Sequence, residues 1–92
     1  MQWVSHTHEV MTQLEQVVST LEDAETGQRG YLLTGERVYL EPYEQALSRI
    51  PGQLERLRAL TIDNPPQTAH ALKLEQFAGG RLAVLRQGID RF

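Results

Sequence analysis

Apolar and small residues recur at alternating steps of four and three over the first third of the chain: Trp3, Thr7, Val10, Leu14, Val17, Leu21, Ala24, Gln28 and Tyr31. That spacing is the seam of a left-handed helical bundle or coiled coil. Val4, Met11, Val18 and Leu32 flank the seam and widen it into the broader stripe of a bundle helix. No proline interrupts it. The pattern predicts a helix over about 2–34, roughly 48 Å long at a rise of about 1.5 Å per residue, with Gly35 placed as its stop.

A second pattern runs through Leu40, Tyr43, Leu47, Ile50, Leu54, Leu57 and Thr61 and predicts a helix over about 37–62. Pro42 falls in its first turn, where the missing N–H had no helical partner. Pro51-Gly52 falls inside it. Proline there removes a hydrogen bond and pushes on the preceding turn, so a kink or short break is expected near 51–52. Asp63-Asn64-Pro65-Pro66 reads as a turn and a new helix start, with Asn64 as cap and Pro65 at the first helical position. A third pattern follows over about 65–91: Ala71, Leu74, Ala78, Leu82, Leu85, Ile89 and Phe92. It contains one additional step of four, which locally disturbs a heptad, and Gly79-Gly80 sits in its middle.

Short connections between such helices imply antiparallel neighbours. The predicted fold is all-α, an elongated antiparallel up-down bundle of three long helices. The predicted core is Leu14, Val17, Leu21, Leu47, Ile50, Leu54, Leu57, Leu82 and Leu85.

Composition narrows the function classes. The chain has 92 residues, a formal charge of −3 and no cysteine. That length holds one small domain, with a modest core for its surface. Charges of both signs are spread along it, so no basic patch points to nucleic acid. Without cysteine there is no disulfide and no thiolate-bound metal. No apolar run is long enough to span a membrane. His6 and His8 are two apart, unlike the i, i+4 pair of helical zinc sites, and His70 is isolated, so no metal is expected. No nucleophile–base pair, phosphate loop or paired carboxylates stand out, so neither an enzymatic site nor a cofactor is expected.

The chemistry that remains gathers where the first pattern ends. Gln28 occupies a seam position, and a buried amide needs partners. It reads first as a polar residue that sets helix register, and second as a ligand contact. Glu25 and Arg29 are spaced i, i+4 and are expected to pair; the alternative makes Arg29 an anion-binding guanidinium. Gly27 and Gly30 are spaced for close approach of a neighbouring helix, with Gly30 expected against the start of the second helix near Tyr39 and Tyr43. Tyr31, Tyr39 and Tyr43 should gather at one end of the bundle, as packing residues or around a small molecule. The candidate ligand-binding set is therefore Glu25, Gln28, Arg29, Tyr31, Tyr39 and Tyr43. Trp3 reads equally as the first seam residue or as an anchor at a membrane surface.

The stretch Glu25-Thr26-Gly27-Gln28-Arg29-Gly30-Tyr31-Leu32-Leu33-Thr34-Gly35, followed by Tyr39-Leu40-Glu41-Pro42-Tyr43, resembles the signature of the third class of CHASE domains. Trp3-Val4-Ser5-His6-Thr7 before it, and Leu60-Thr61 with Asp63-Asn64-Pro65 and Gln67 after it, are similar to other parts of that family. These are extracytoplasmic sensor domains of bacterial histidine kinases, cyclases and chemoreceptors. The resemblance implies one sensor domain over 1–92, in the periplasmic part of an inner-membrane histidine kinase or related receptor. Transmembrane helices would flank it, catalysis would lie in a cytoplasmic domain, and two copies would pair. A small-molecule or protein stimulus would then shift their helices. The family domain has a further helix returning toward the membrane, which makes this chain a truncated four-helix bundle with an apolar strip left uncovered. A competing reading is a ligand-free dimerisation or protein-docking module.

Overall fold

The computed structural model describes residues 2–92, with side chains from His6 onward. The expectations for Trp3 and Val4 concern side chains outside the described residues. Three helices follow in order: α1 (Gln2–Thr34), a 3₁₀ turn at Arg37–Leu40 followed by α2 (Glu41–Thr61), and α3 (Pro65–Arg91). They form an all-α up-down-up bundle measuring 50 × 20 × 15 Å, so α1 alone runs the length of the molecule.

Local chemistry accounts for the boundaries. Gly35 adopts φ +71°, a left-handed conformation open to glycine, and its N–H donates to the Tyr31 carbonyl at 2.7 Å. This closes α1 with a helix-terminating turn. The Thr34 hydroxyl donates to the Gly30 carbonyl at 2.7 Å and accepts from the Glu36 N–H at 3.1 Å. The second helical stretch does not run regularly from residue 37. Its opening is the 3₁₀ turn, which buries Leu40 and delivers Pro42 to the first turn of α2. Asn64 caps α3 by accepting from the Gln67 N–H at 3.2 Å.

Of the kink or short break expected near 51–52, the break is absent: α2 runs on through Pro51. One core expectation for α2 is also corrected. Pro51 and Leu47 are both exposed, so the carbonyl four residues before Pro51, which loses its donor, belongs to a water-facing part of the helix. Leu47 itself is 40% exposed and is not core. The inward face of α2 runs through Tyr43, Ala46, Ile50, Leu57 and Thr61. Ala46 takes the buried place, and Leu47 lines an open groove between α2 and α3 with Leu54 and Leu82.

The core has two centres. Val17, Leu21, Ala24, Tyr43, Ala46, Ile50, Ala78 and Leu85 form the larger, with Leu54, Leu74, Leu82 and Ile89 packed against it. Val10, Leu57 and Ala71 form the smaller, with Leu14, Leu60 and Leu74 beside it. Packing of α1 on α2 is much more extensive than packing of α3 on either. Leu72, Phe77 and Val84 of α3 remain exposed, as do Met11 and Val18 of α1. Gly79 and Gly80 face open space, and α3 continues through them.

Candidate functional site

The end of α1, the 3₁₀ turn and the end of α3 meet at one end of the bundle, and the six candidate residues lie there on separate faces. Glu25 does not pair with Arg29. Its carboxylate accepts from Arg81 Nε of α3 instead. Arg81 reaches across from another helix and aims a guanidinium N–H at the carboxylate, whereas Arg29 contributes only a weaker longer-range attraction. The Arg81 hydrogen bond holds the Glu25 carboxyl below its usual range, with burial opposing it and the Arg81 and Arg29 charges adding to it. Arg29 is exposed and joins none of the ion pairs among the described residues.

Gln28 is half-buried and crosses to α3. Its Nε2 donates to the Leu85 carbonyl at 3.2 Å. A Cβ at Gly88 would come within 2.5 Å of that nitrogen. The amide therefore rests in a notch that the missing side chain of Gly88 leaves on α3. The contact ties Gln28 of α1 to the Leu85–Gly88 turn of the parallel helix α3.

The three tyrosines share an end but do not converge. Tyr31 is buried, with its ring 4.8 Å from the Phe92 ring at 46° and the Arg37 guanidinium 6.0 Å above it. Tyr43 lies in the larger core cluster, while Arg86 of α3 pairs with Asp90 one turn on at 3.3 Å. Tyr39 is exposed, and it packs on the glycine face of α1. A Cβ at Gly30 would meet its ring at 3.1 Å, and a Cβ at Gly27 would meet its carbonyl oxygen at 2.7 Å. Close approach thus involves Tyr39 rather than Tyr43, and Gly27 is the tighter contact.

The grooves described among residues 6–92 include none of these six. A nearby groove is lined by Thr20, Asp23, Pro42, Ala46 and Arg49 instead. Sequence reasoning missed Arg81, Gly88 and Phe92 as members of this end. Phe92 was visible as the last residue of the third stripe; Arg81 and Gly88 carried no periodic signal.

The family model of the CHASE3 domain matches residues 1–92. The chain belongs to the CHASE3 family. CHASE3 domains are extracellular sensor domains of receptors and are not catalytic. Comparisons with curated proteins and with solved structures gave no match. The stretch from Glu25 to Gly35 is where α1 meets the 3₁₀ turn and the end of α3. Among the described residues no helix is long and apolar enough to cross a membrane, and no three His, Cys, Asp or Glu side chains gather to hold a metal.

Proposed function

We propose that this CHASE3 domain is the periplasmic sensory module of an inner-membrane histidine kinase or related receptor, and that it works as a homodimer. A stimulus changes the relative positions of its helices, and α1 carries the change toward the membrane. The family match over the whole chain carries this reading. The bundle supplies a compatible mechanism. α1 is one uninterrupted helix as long as the molecule, so a shift at its signature end is transmitted along its axis. α3 is only lightly packed, so it can move at modest cost. A ligand shifts such a balance only through different affinity for the two packings.

The test uses the full-length receptor in membranes, with its kinase output as readout. Arg29→Ala and Gln28→Ala should alter that output while the isolated domain keeps a folded, cooperative thermal transition. Unchanged output for both variants would remove the signature from the signalling path. A ligand-free dimerisation or docking module is the second reading, favoured by the exposed Met11, Val18, Phe77 and Val84. Output that follows enforced dimerisation and ignores every variant at the signature end would select it.

A further inference from the structure

We infer that a second copy of the chain docks on the groove between α1 and α3, the two copies lying parallel about a two-fold axis that runs along the bundle. This rests on the dimeric sensor reading above and adds to it a face and an orientation.

The Glu25–Arg81 bridge locates the face. It spans α1 and α3, so the flank of α1 that carries Glu25 lines the same groove as the flank of α3 that carries Arg81. Met11, Val18 and Glu25 follow at steps of seven along α1. His70, Phe77 and Val84 do so along α3, with Arg81 between the last two. Residues spaced in this way share one flank of a helix. The exposed Met11, Val18, Phe77 and Val84 therefore stand on the two banks of one groove. Met11 and His70 line a common cleft at its far end. The bundle measures 50 Å by 20 Å across its broader side. A face of that size is comparable with the roughly 800 Å² that each partner gives to an ordinary specific interface.

Charge and height select a second copy as the occupant. The outer edge of the α1 bank bears Glu15 and Glu22, each four residues after Met11 or Val18. The outer edge of the α3 bank bears Lys73, four residues before Phe77. All three are exposed, and none joins an ion pair among the described residues. A two-fold axis along the bundle sets α1 of each copy beside α3 of the other and keeps every residue at its own height. Within one copy, α1 and α3 run parallel. Residues that touch between them are 56, 57 and 61 apart, at Glu25–Arg81, Gln28–Leu85 and Tyr31–Phe92. Glu15 with Lys73, and Val18 with Phe77, fall within that offset. Across the axis, Glu15 thus comes level with the partner's Lys73, and Val18 with the partner's Phe77. The symmetry makes each contact twice. Glu22 comes level with the partner's Gly80, beside the partner's Arg81, and Arg29 with the partner's Gln87. The acidic edge of one copy therefore meets the basic edge of the other along an apolar strip.

The chain has no cysteine, so an introduced one reports its own neighbours. Val18→Cys chains mixed with Phe77→Cys chains and oxidised should give a cross-linked mixed dimer, and either variant alone should give little. In sedimentation equilibrium at low salt, Glu15→Lys and Lys73→Glu should each weaken dimerisation about tenfold. The double substitution should restore it to within about threefold, as two partly exposed charge pairs allow. Both positions are exposed, so each variant should keep the helical circular-dichroism signal of the parent. A dimer that ignores both reversals, or yields no mixed cross-link, overturns the inference and leaves the dimeric sensor standing on another face. A loss that the double substitution does not restore overturns the pairing of Glu15 with Lys73 and the orientation with it. A chain that is monomeric at every concentration overturns the inference and the dimeric reading together.

Discussion

At the residue scale, the two signature glycines differ in what opposes a side chain. At Gly27 the obstacle is the Tyr39 carbonyl oxygen, 2.7 Å from an added Cβ, and backbone cannot turn aside. At Gly30 it is the Tyr39 side chain, its ring at 3.1 Å and its Cβ at 3.2 Å, a looser contact in which the neighbour need give by only a few tenths of an ångström. Gly27→Ala should therefore destabilise by about 1–3 kcal/mol, the range for overpacking, even though alanine is the better helix former by about 1 kcal/mol. Gly30→Ala should come out near neutral, because the two effects offset, while Gly30→Leu should cost more than about 1 kcal/mol. Urea denaturation of the three variants orders them; a stabilised Gly27→Ala would refute the close-approach account. The sequence located this contact and named Tyr39 among its partners, but not which atoms of Tyr39 lie over each glycine. Spacing shows that small residues share a face, and only the path of the 3₁₀ turn decides which backbone atom lies over them.

The Glu25–Arg81 bridge makes a pH prediction of the same scale. The folded carboxyl is held below its ordinary value, chiefly by the Arg81 hydrogen bond. The stabilisation is thus present above the ordinary carboxylate range and is lost as pH falls through the lower folded value. Glu25→Gln should flatten that acid limb of a stability–pH curve and leave the neutral region almost unchanged, since partly exposed pairs contribute little. A steeper acid limb in the variant would contradict the assignment. Periodicity could not find Arg81, because i, i+4 rules see only pairs within one helix and this pair bridges two.

At the element scale, helix stops were written in local chemistry and were legible: Gly35 closes α1, and Asn64 with Pro65 opens α3. The buried face of α2 was legible only in part. Its apolar stripe is wider than the face that α1 and α3 cover, and the stripe alone does not say which edge is left out. Leu47 lies on that edge. Leu21→Ala should destabilise by about 2–5 kcal/mol, whereas Leu47→Ala should cost well under 1 kcal/mol by the usual standard of exposed sites, about 0.5 kcal/mol. Equal losses would show that Leu47 is covered in solution. Gly79→Ala should raise stability by about 0.5–1 kcal/mol, because it adds helix propensity where a Cβ meets nothing within 4 Å. A loss there would mean that something packs on this face of α3.

For the whole molecule, one long helix spans its length, and a lightly held third helix leaves apolar side chains in water. Met11, Val18, Phe77 and Val84 are each about half exposed or more. Exposed apolar surface of this kind marks interaction sites. A second copy is the occupant that the dimeric sensor reading requires. In the sequence Met11 and Val18 flanked the α1 seam, whereas Phe77 and Val84 lay outside the pattern read for the third helix, and a period does not say whether its partner is the same chain or another.

Sedimentation velocity of this chain across the micromolar range tests the dimeric sensor most directly. The account predicts a concentration-dependent shift toward a dimer, abolished by Phe77→Glu with Val84→Glu while the helical circular-dichroism signal is kept. A single monomeric species at every concentration, unchanged by those substitutions, would contradict it.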